Sequence, residues 1–164
     1  MKKVAKLTLL AALTVMMLTL AACAGNGSPA SAFKTYCSGT SSQNIKKTAG
    51  ALFEKDSTEY NAYVEVAEKA KEASKDIDAS GKAKITVKKT DFTIDGEKAS
   101  GNAKINIKGK VKLGSVTIEI DEKDLELKGI SFIQKDGKWY LVEASYNVAY
   151  SAAMATRSIG GIFG

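Results

Sequence analysis

From Gly81 onward the chain alternates. Ala83, Ile85 and Val87 are interleaved with Lys82, Lys84, Thr86 and Lys88, a period of two that puts apolar side chains on one face of a strand and charged ones on the other. The pattern returns at Phe92 and Ile94, at Ala103, Ile105 and Ile107, at Val111 and Leu113, and at Val116, Ile118 and Ile120. Four or more antiparallel strands are expected, each with one buried and one wet face. Asp95-Gly96 and Asp136-Gly137 are the strongest hairpin signals, while Gly101-Asn102, Gly109 and Gly114 mark bends or bulges. Residues 124–129 break the alternation, and 130–133 and 139–142 resume it on either side of the second Asp-Gly turn. Lysines on the wet face also discourage edge-to-edge pairing.

Ahead of the sheet the period is helical. Ile45, Ala49, Leu52 and Phe53 share one face of a helix over residues 44–53, with Lys46, Lys47, Glu54 and Lys55 elsewhere. A second helix is expected to open at Asp56, the N-cap of the box Asp56-Ser57-Thr58-Glu59. Its apolar stripe is Tyr60, Tyr63, Val64, Ala67, Ala70 and Ser74, ending near Ile77 before a turn at Ser80-Gly81. Helices first and strands afterwards argue an α+β fold, with N-terminal helices packed on a curved antiparallel sheet. Beyond Val142, Tyr146, Ala149, Tyr150, Ala153 and Arg157 are spaced for a short C-terminal helical tail from about residue 144, which folds back on the sheet. The alternative for its glycine-rich apolar end, residues 159–164, is docking on a partner or the membrane surface.

Residues 130–142, Ile-Ser-Phe-Ile-Gln-Lys-Asp-Gly-Lys-Trp-Tyr-Leu-Val, together with Ile94-Asp95-Gly96, resemble the hairpins of bacterial lipoproteins with a nuclear-transport-factor-like, or cystatin-like, cone fold. The chain departs from that pattern by continuing to Gly164. A second resemblance lies at the N-terminus. Lys2, Lys3 and Lys6 precede an uncharged stretch, residues 7–22, that closes on Leu20-Ala21-Ala22-Cys23 and looks like a lipoprotein export signal. The stretch is interrupted by three threonines and falls short of the roughly 20 apolar residues of a spanning helix. An ordinary secretory signal would also end in small residues. The lipoprotein resemblance implies that residues 1–22 are removed and that Cys23 carries the lipid. Its partner is then the membrane: the outer membrane facing the periplasm in a Gram-negative host, or the outer face of the cell membrane in a Gram-positive one.

Residues 23–43 contain Gly, Ser, Thr, Asn and Pro29 and read as a flexible tether, leaving residues 44–164 as one domain. Cys37 lies within that tether, either a tolerated thiol or a functional one. Loss of Lys2, Lys3 and Lys6 takes the basic count from 24 to 21 against 18 acidic residues, a net charge of +3, an ordinary surface of interleaved charges that gives no expectation of binding nucleic acid or another polyanion.

The chain has no histidine, so Ser-His-Asp and Cys-His arrangements and most zinc sites are excluded. Asp91, Asp95, Glu97, Glu119, Asp121, Glu122 and Asp124 could act as acid and base, yet all fall at turns or wet strand positions. Residues 121–126 lack the ligand spacing and central glycine of a calcium loop. No phosphate-cradling glycine loop follows a strand. No metal, cofactor or catalytic residue is therefore expected. Three functional classes remain: a non-enzymatic lipid-anchored interaction or structural domain with an envelope protein as partner; a small-molecule binder with an apolar pocket walled by Tyr60, Tyr63, Phe92, Phe132 and Trp139 between helices and sheet; and, last, an enzyme using carboxylates alone.

Overall fold

The computed structural model describes residues 26–76, 79–113 and 115–160, without the side chains of residues 76, 79, 113 and 156–160. The expected signal, Cys23, Ile77, Gly114, the Arg157 side chain and the end of the tail lie outside the described residues. Among the described residues three helices precede the sheet: α1 (Pro29–Ser41), α2 (Ile45–Leu52) and α3 (Thr58–Asp76). Four strands follow, β1 (Ala79–Asp95), β2 (Lys98–Leu113), β3 (Val116–Lys135) and β4 (Lys138–Leu141), then α4 (Glu143–Gly160). The strands form one antiparallel sheet in the order β1-β2-β3-β4. The expected α+β architecture is the one observed, with the sheet curled around helices from both ends of the chain.

The flexible tether expected over residues 23–43 does not form across 29–41. Pro29–Ser41 is a helix, started by Pro29 in its first turn and capped by Ser28, whose Oγ accepts from Ser31 N at 3.1 Å. Ala32, Phe33, Tyr36 and Cys37 recur at helical spacing and are all buried, so this helix supplies core. The small residues that read as a linker allow close packing instead. A Cβ on Gly39 would sit 2.6 Å from Thr48 Oγ1, so glycine lets α1 and α2 approach. The domain therefore includes residues from Asn26 onward and not only those from residue 44. Asn26 is itself pinned: its carbonyl accepts from Trp139 N at 2.8 Å, and its Nδ2 donates to Gly50 O at 2.7 Å.

The helix over residues 44–53 forms as expected, capped by Asn44, whose Oδ1 accepts from Lys47 N at 3.0 Å. The next cap is Ser57, not Asp56: Tyr60 N donates to Ser57 Oγ at 3.1 Å, and Asp56 takes a left-handed φ of 66° in the preceding turn. Among the described side chains of α3 only Tyr60 is buried, Tyr63, Val64 and Ala67 are half-covered, and Val66 is 66% exposed, so the helix leaves the core after its first turns. Ser80 and Gly81 already lie in β1 and make no turn.

Asp136 and Gly137, at φ 48° and 73°, form the two-residue turn between β3 and β4. At the first hairpin Asp95 pairs with Lys98, so Gly96-Glu97 is the loop and the turn sits one residue later than its Asp-Gly signal. Residues 124–129 do not end a strand. Strand β3 runs through them with two bulges, each placing one extra residue opposite β2. Asn106 Oδ1 accepts from Asp124 N at 2.9 Å and Asn102 Oδ1 accepts from Gly129 N at 3.3 Å, so both freed amides are satisfied. These bulges bend the sheet around α1 and α4. The core on its concave face includes Phe33, Ile105, Leu125, Leu127, Ile130 and Phe132.

Candidate functional site

In a curled sheet closed by helices, the natural place for a ligand is the concave interior. Here that space holds side chains. Phe132 packs edge-on to Phe92 with centroids 4.7 Å apart, Phe92 meets Phe33 at 5.9 Å, and Phe33 meets Tyr146 of α4 at 6.2 Å. Tyr146 continues the row to Tyr36 at 4.9 Å and stacks on Tyr150 at 6.1 Å. Offset and edge-on contacts of this kind stabilise a packed core.

The five expected wall residues are thus divided. Phe92 and Phe132 join the aromatic row, Trp139 is buried beside the Asn26 segment, and Tyr63 packs on Phe53 at 5.8 Å. Tyr60 is buried between α2 and α3, its hydroxyl 3.5 Å from Lys46 O. None of the five lines the clefts described below, so the apolar pocket they were expected to form is filled by core packing. The acidic candidates stay outside as well. Asp91, Asp95, Glu97, Glu119, Asp121 and Asp124 are exposed and Glu122 is half-covered. Glu119 is engaged by Lys110, whose ammonium holds its carboxyl below the usual range.

A carboxylate that burial perturbs is Glu143, half-covered in the first turn of α4. Desolvation raises its pKa above the ordinary glutamate value, and the Tyr36 hydroxyl, donating to Oε1 at 3.4 Å, pulls it partly back. Tyr36 is in turn held far above the normal phenol range, first by burial and then by Glu143. Burial raises the Tyr63 phenol too, with Glu143 adding to it. Glu143 edges a cleft of about 320 Å³ bordered by Phe53, Glu54, Glu59, Lys135 and Tyr140. A desolvated carboxyl in a cleft can exchange a hydrogen bond or proton with a small polar ligand. Sequence reasoning missed it because its partner, Tyr36, lay in the assumed tether. Among the described residues, no group of Cys, Asp and Glu could hold a metal ion.

Two further grooves are open. One of about 760 Å³ runs between the end of α3 and the start of β1, past Ile45, Ala67, Ala70 and Gly81. The other, about 290 Å³, separates α4 from β3 along Leu125, Ala149 and Ala153. Cys37 reaches none of these. Its thiol is 1% exposed, and burial pushes its pKa up to about 12. That is the setting of an inert packing residue.

No family model and no curated protein matches this sequence. Two solved structures from Mycobacterium tuberculosis are among those similar to it. The first is Rv3472, described as a protein of unknown function: 17% identity, 67% of this chain and 63% of that one covered, TM-score 0.43. The second is an LEH-like epoxide hydrolase: 8% identity, 79% and 93% covered, TM-score 0.35. The chain spans under two thirds of the first structure's length.

Proposed function

We propose that this chain is an exported, lipid-anchored domain of the cell envelope that acts through its outer surface, without catalysis. The observation that carries this reading is the aromatic row from Phe132 to Tyr150, which occupies the interior where a ligand or substrate would otherwise enter. The export half rests on Lys2, Lys3 and Lys6 and on Leu20-Ala21-Ala22-Cys23. The resemblance to cone-fold lipoproteins agrees with it. Asn26 is fixed to β4 and α2, so a lipid on Cys23 would sit three residues, at most about 10 Å, from the folded surface. The domain would then rest directly against its bilayer, in either the outer or the cell membrane according to host. Three acyl chains would hold it there permanently, since one alone binds reversibly. Replacing Cys23 with Ser tests the anchor: wild type should enter the detergent phase on phase separation and the variant the aqueous phase. Equal partitioning of both would refute it.

The second reading, a small-molecule site, keeps support only at the Glu143 cleft, through that residue's desolvation. A polar-metabolite screen by thermal shift, with Glu143→Gln as control, tests it. A ligand that stabilises wild type and not the variant would favour this reading over the first.

A further inference from the structure

The strand register lines up lysines. Lys82 lies opposite Lys110, Lys84 opposite Lys108 and Lys89 opposite Lys104. Their neighbours Ala83, Ile85, Val87, Ala103, Ile105 and Ile107 face the core, so these lysines stand on the outer face of β1 and β2, and all six are exposed. Across β3 the same rows end in acids: Glu119 beside Lys110, Asp121 beside Lys108 and Glu126 beside Lys104. Each row therefore reads lysine, lysine, carboxylate from the β1 edge inward and leaves one positive charge on the β1 side. Lys88, the extra residue of the β1 bulge, adds another, while Asp91, on the same face beside Lys89, offsets one.

Like charges placed directly opposite are destabilising. Edge protection is the ordinary reason for lysine on an outer strand, but here the edge beside Lys82 and Lys84 is already capped. Ser41 Oγ accepts from Ile85 N at 2.8 Å, and Gln43 Nε2 donates to Gly81 O at 2.8 Å, covering the stretch that carries Lys82 and Lys84. Carboxylates on β1 would also have guarded the edge while pairing with the β2 lysines. The chain has lysine at all three positions.

We infer that the outer face of β1 and β2 is a docking surface for a linear polyanion, a flexible polymer with repeated phosphate charges. Lys82 and Lys84 are about 6.7 Å apart, and from Lys82 to Lys89 the rows match six residues of β2, a span of roughly 20 Å, so one extended chain can lie along both columns. Ammonium groups suit this partner because each acts as a point charge toward phosphate without demanding a fixed geometry. The sheet is convex on this side, so a flat anionic bilayer meets it along one line, whereas a flexible polymer follows the curve.

The test uses the full mature chain in neutral detergent, with fluorescent long-chain inorganic polyphosphate as probe and vesicles with and without anionic lipid as the second arm. Wild type should bind polyphosphate at low salt. Lys84→Gln combined with Lys108→Gln should weaken binding about tenfold and reduce the slope of log affinity against log salt by about two. The matched control, Lys46→Gln with Lys138→Gln, should change affinity by less than about twofold if position and not net charge decides. Lys84→Glu should bind more weakly yet melt higher, because it relieves a facing pair, which separates lost binding from lost folding. Equal losses in the ridge and control variants, no polyphosphate binding at low salt, or binding to anionic vesicles alone would each overturn the proposal.

Discussion

Phe33→Ala asks whether residues 29–41 are core. Phe33 is 0% exposed, with the Phe92 ring edge-on at 5.9 Å and the Tyr146 ring tilted at 6.2 Å. Truncation removes the ring from between α1, β1 and α4 and leaves a cavity that these rigidly packed elements cannot close fully. Such substitutions cost about 3–5 kcal/mol. For a domain of this length each kcal/mol lowers Tm by roughly 2–8 °C, so a fall of about 6 °C or more is expected. Urea unfolding of the mature chain, followed by circular dichroism, gives the free energy directly. Lys34→Ala, on the exposed side of the same helix, should stay within about 0.5 kcal/mol of wild type. A Phe33→Ala loss below about 1 kcal/mol, the size of a surface effect, would refute the placement of α1 in the core.

Other outcomes follow from single contacts. Glu143 has a raised pKa in the folded state, so the folded protein holds that proton more tightly than the unfolded chain, and stability falls as pH rises from the ordinary glutamate value through the raised one. Glu143→Gln should flatten that decline in urea titrations at stepped pH, and an unchanged slope would show that Glu143 is not desolvated. Cys37, with its thiol pushed up to about 12, should resist a thiol reagent at pH 8 and react once urea unfolds the chain; rapid labelling of native protein would contradict its burial. A Cβ on Gly101 would collide with the Asp91 carbonyl, so Gly101→Ala should destabilise by about 1–3 kcal/mol in the same unfolding assay. Asn106→Ala removes the acceptor for Asp124 N in the bulge and should cost about 1 kcal/mol, with faster amide exchange at Asp124 as its signature.

The sheet was legible because its code is local: alternation at Ala83, Ile85 and Val87 sets the inward face wherever one side is buried, and Asp136-Gly137 sets its turn. The bulges were not, because a break in alternation over residues 124–129 looks the same whether a strand ends or gains a residue. Only the partner decides, here Asn102 and Asn106 on β2. Helix α1 was hidden by composition: Ser31, Ser38, Gly39 and Thr40 read as linker, while Ala32, Phe33, Tyr36 and Cys37 carry a helical stripe through the same stretch. Missing that stripe also hid the Tyr36–Glu143 contact, which joins residues 107 positions apart. The aromatic wall failed for a related reason. Phe92 and Phe132 were correctly read as inward-facing, but whether an interior is hollow depends on what the helices insert, and Phe33 and Tyr146 fill it.

The most direct test of the envelope reading is the mass of the N-terminal peptide of native protein extracted from membranes. The account predicts that the chain begins at Cys23 and that this residue carries a thioether-linked diacylglyceryl group. A chain that retains residues 1–22, or one that begins at Cys23 or later with no lipid attached, would contradict it.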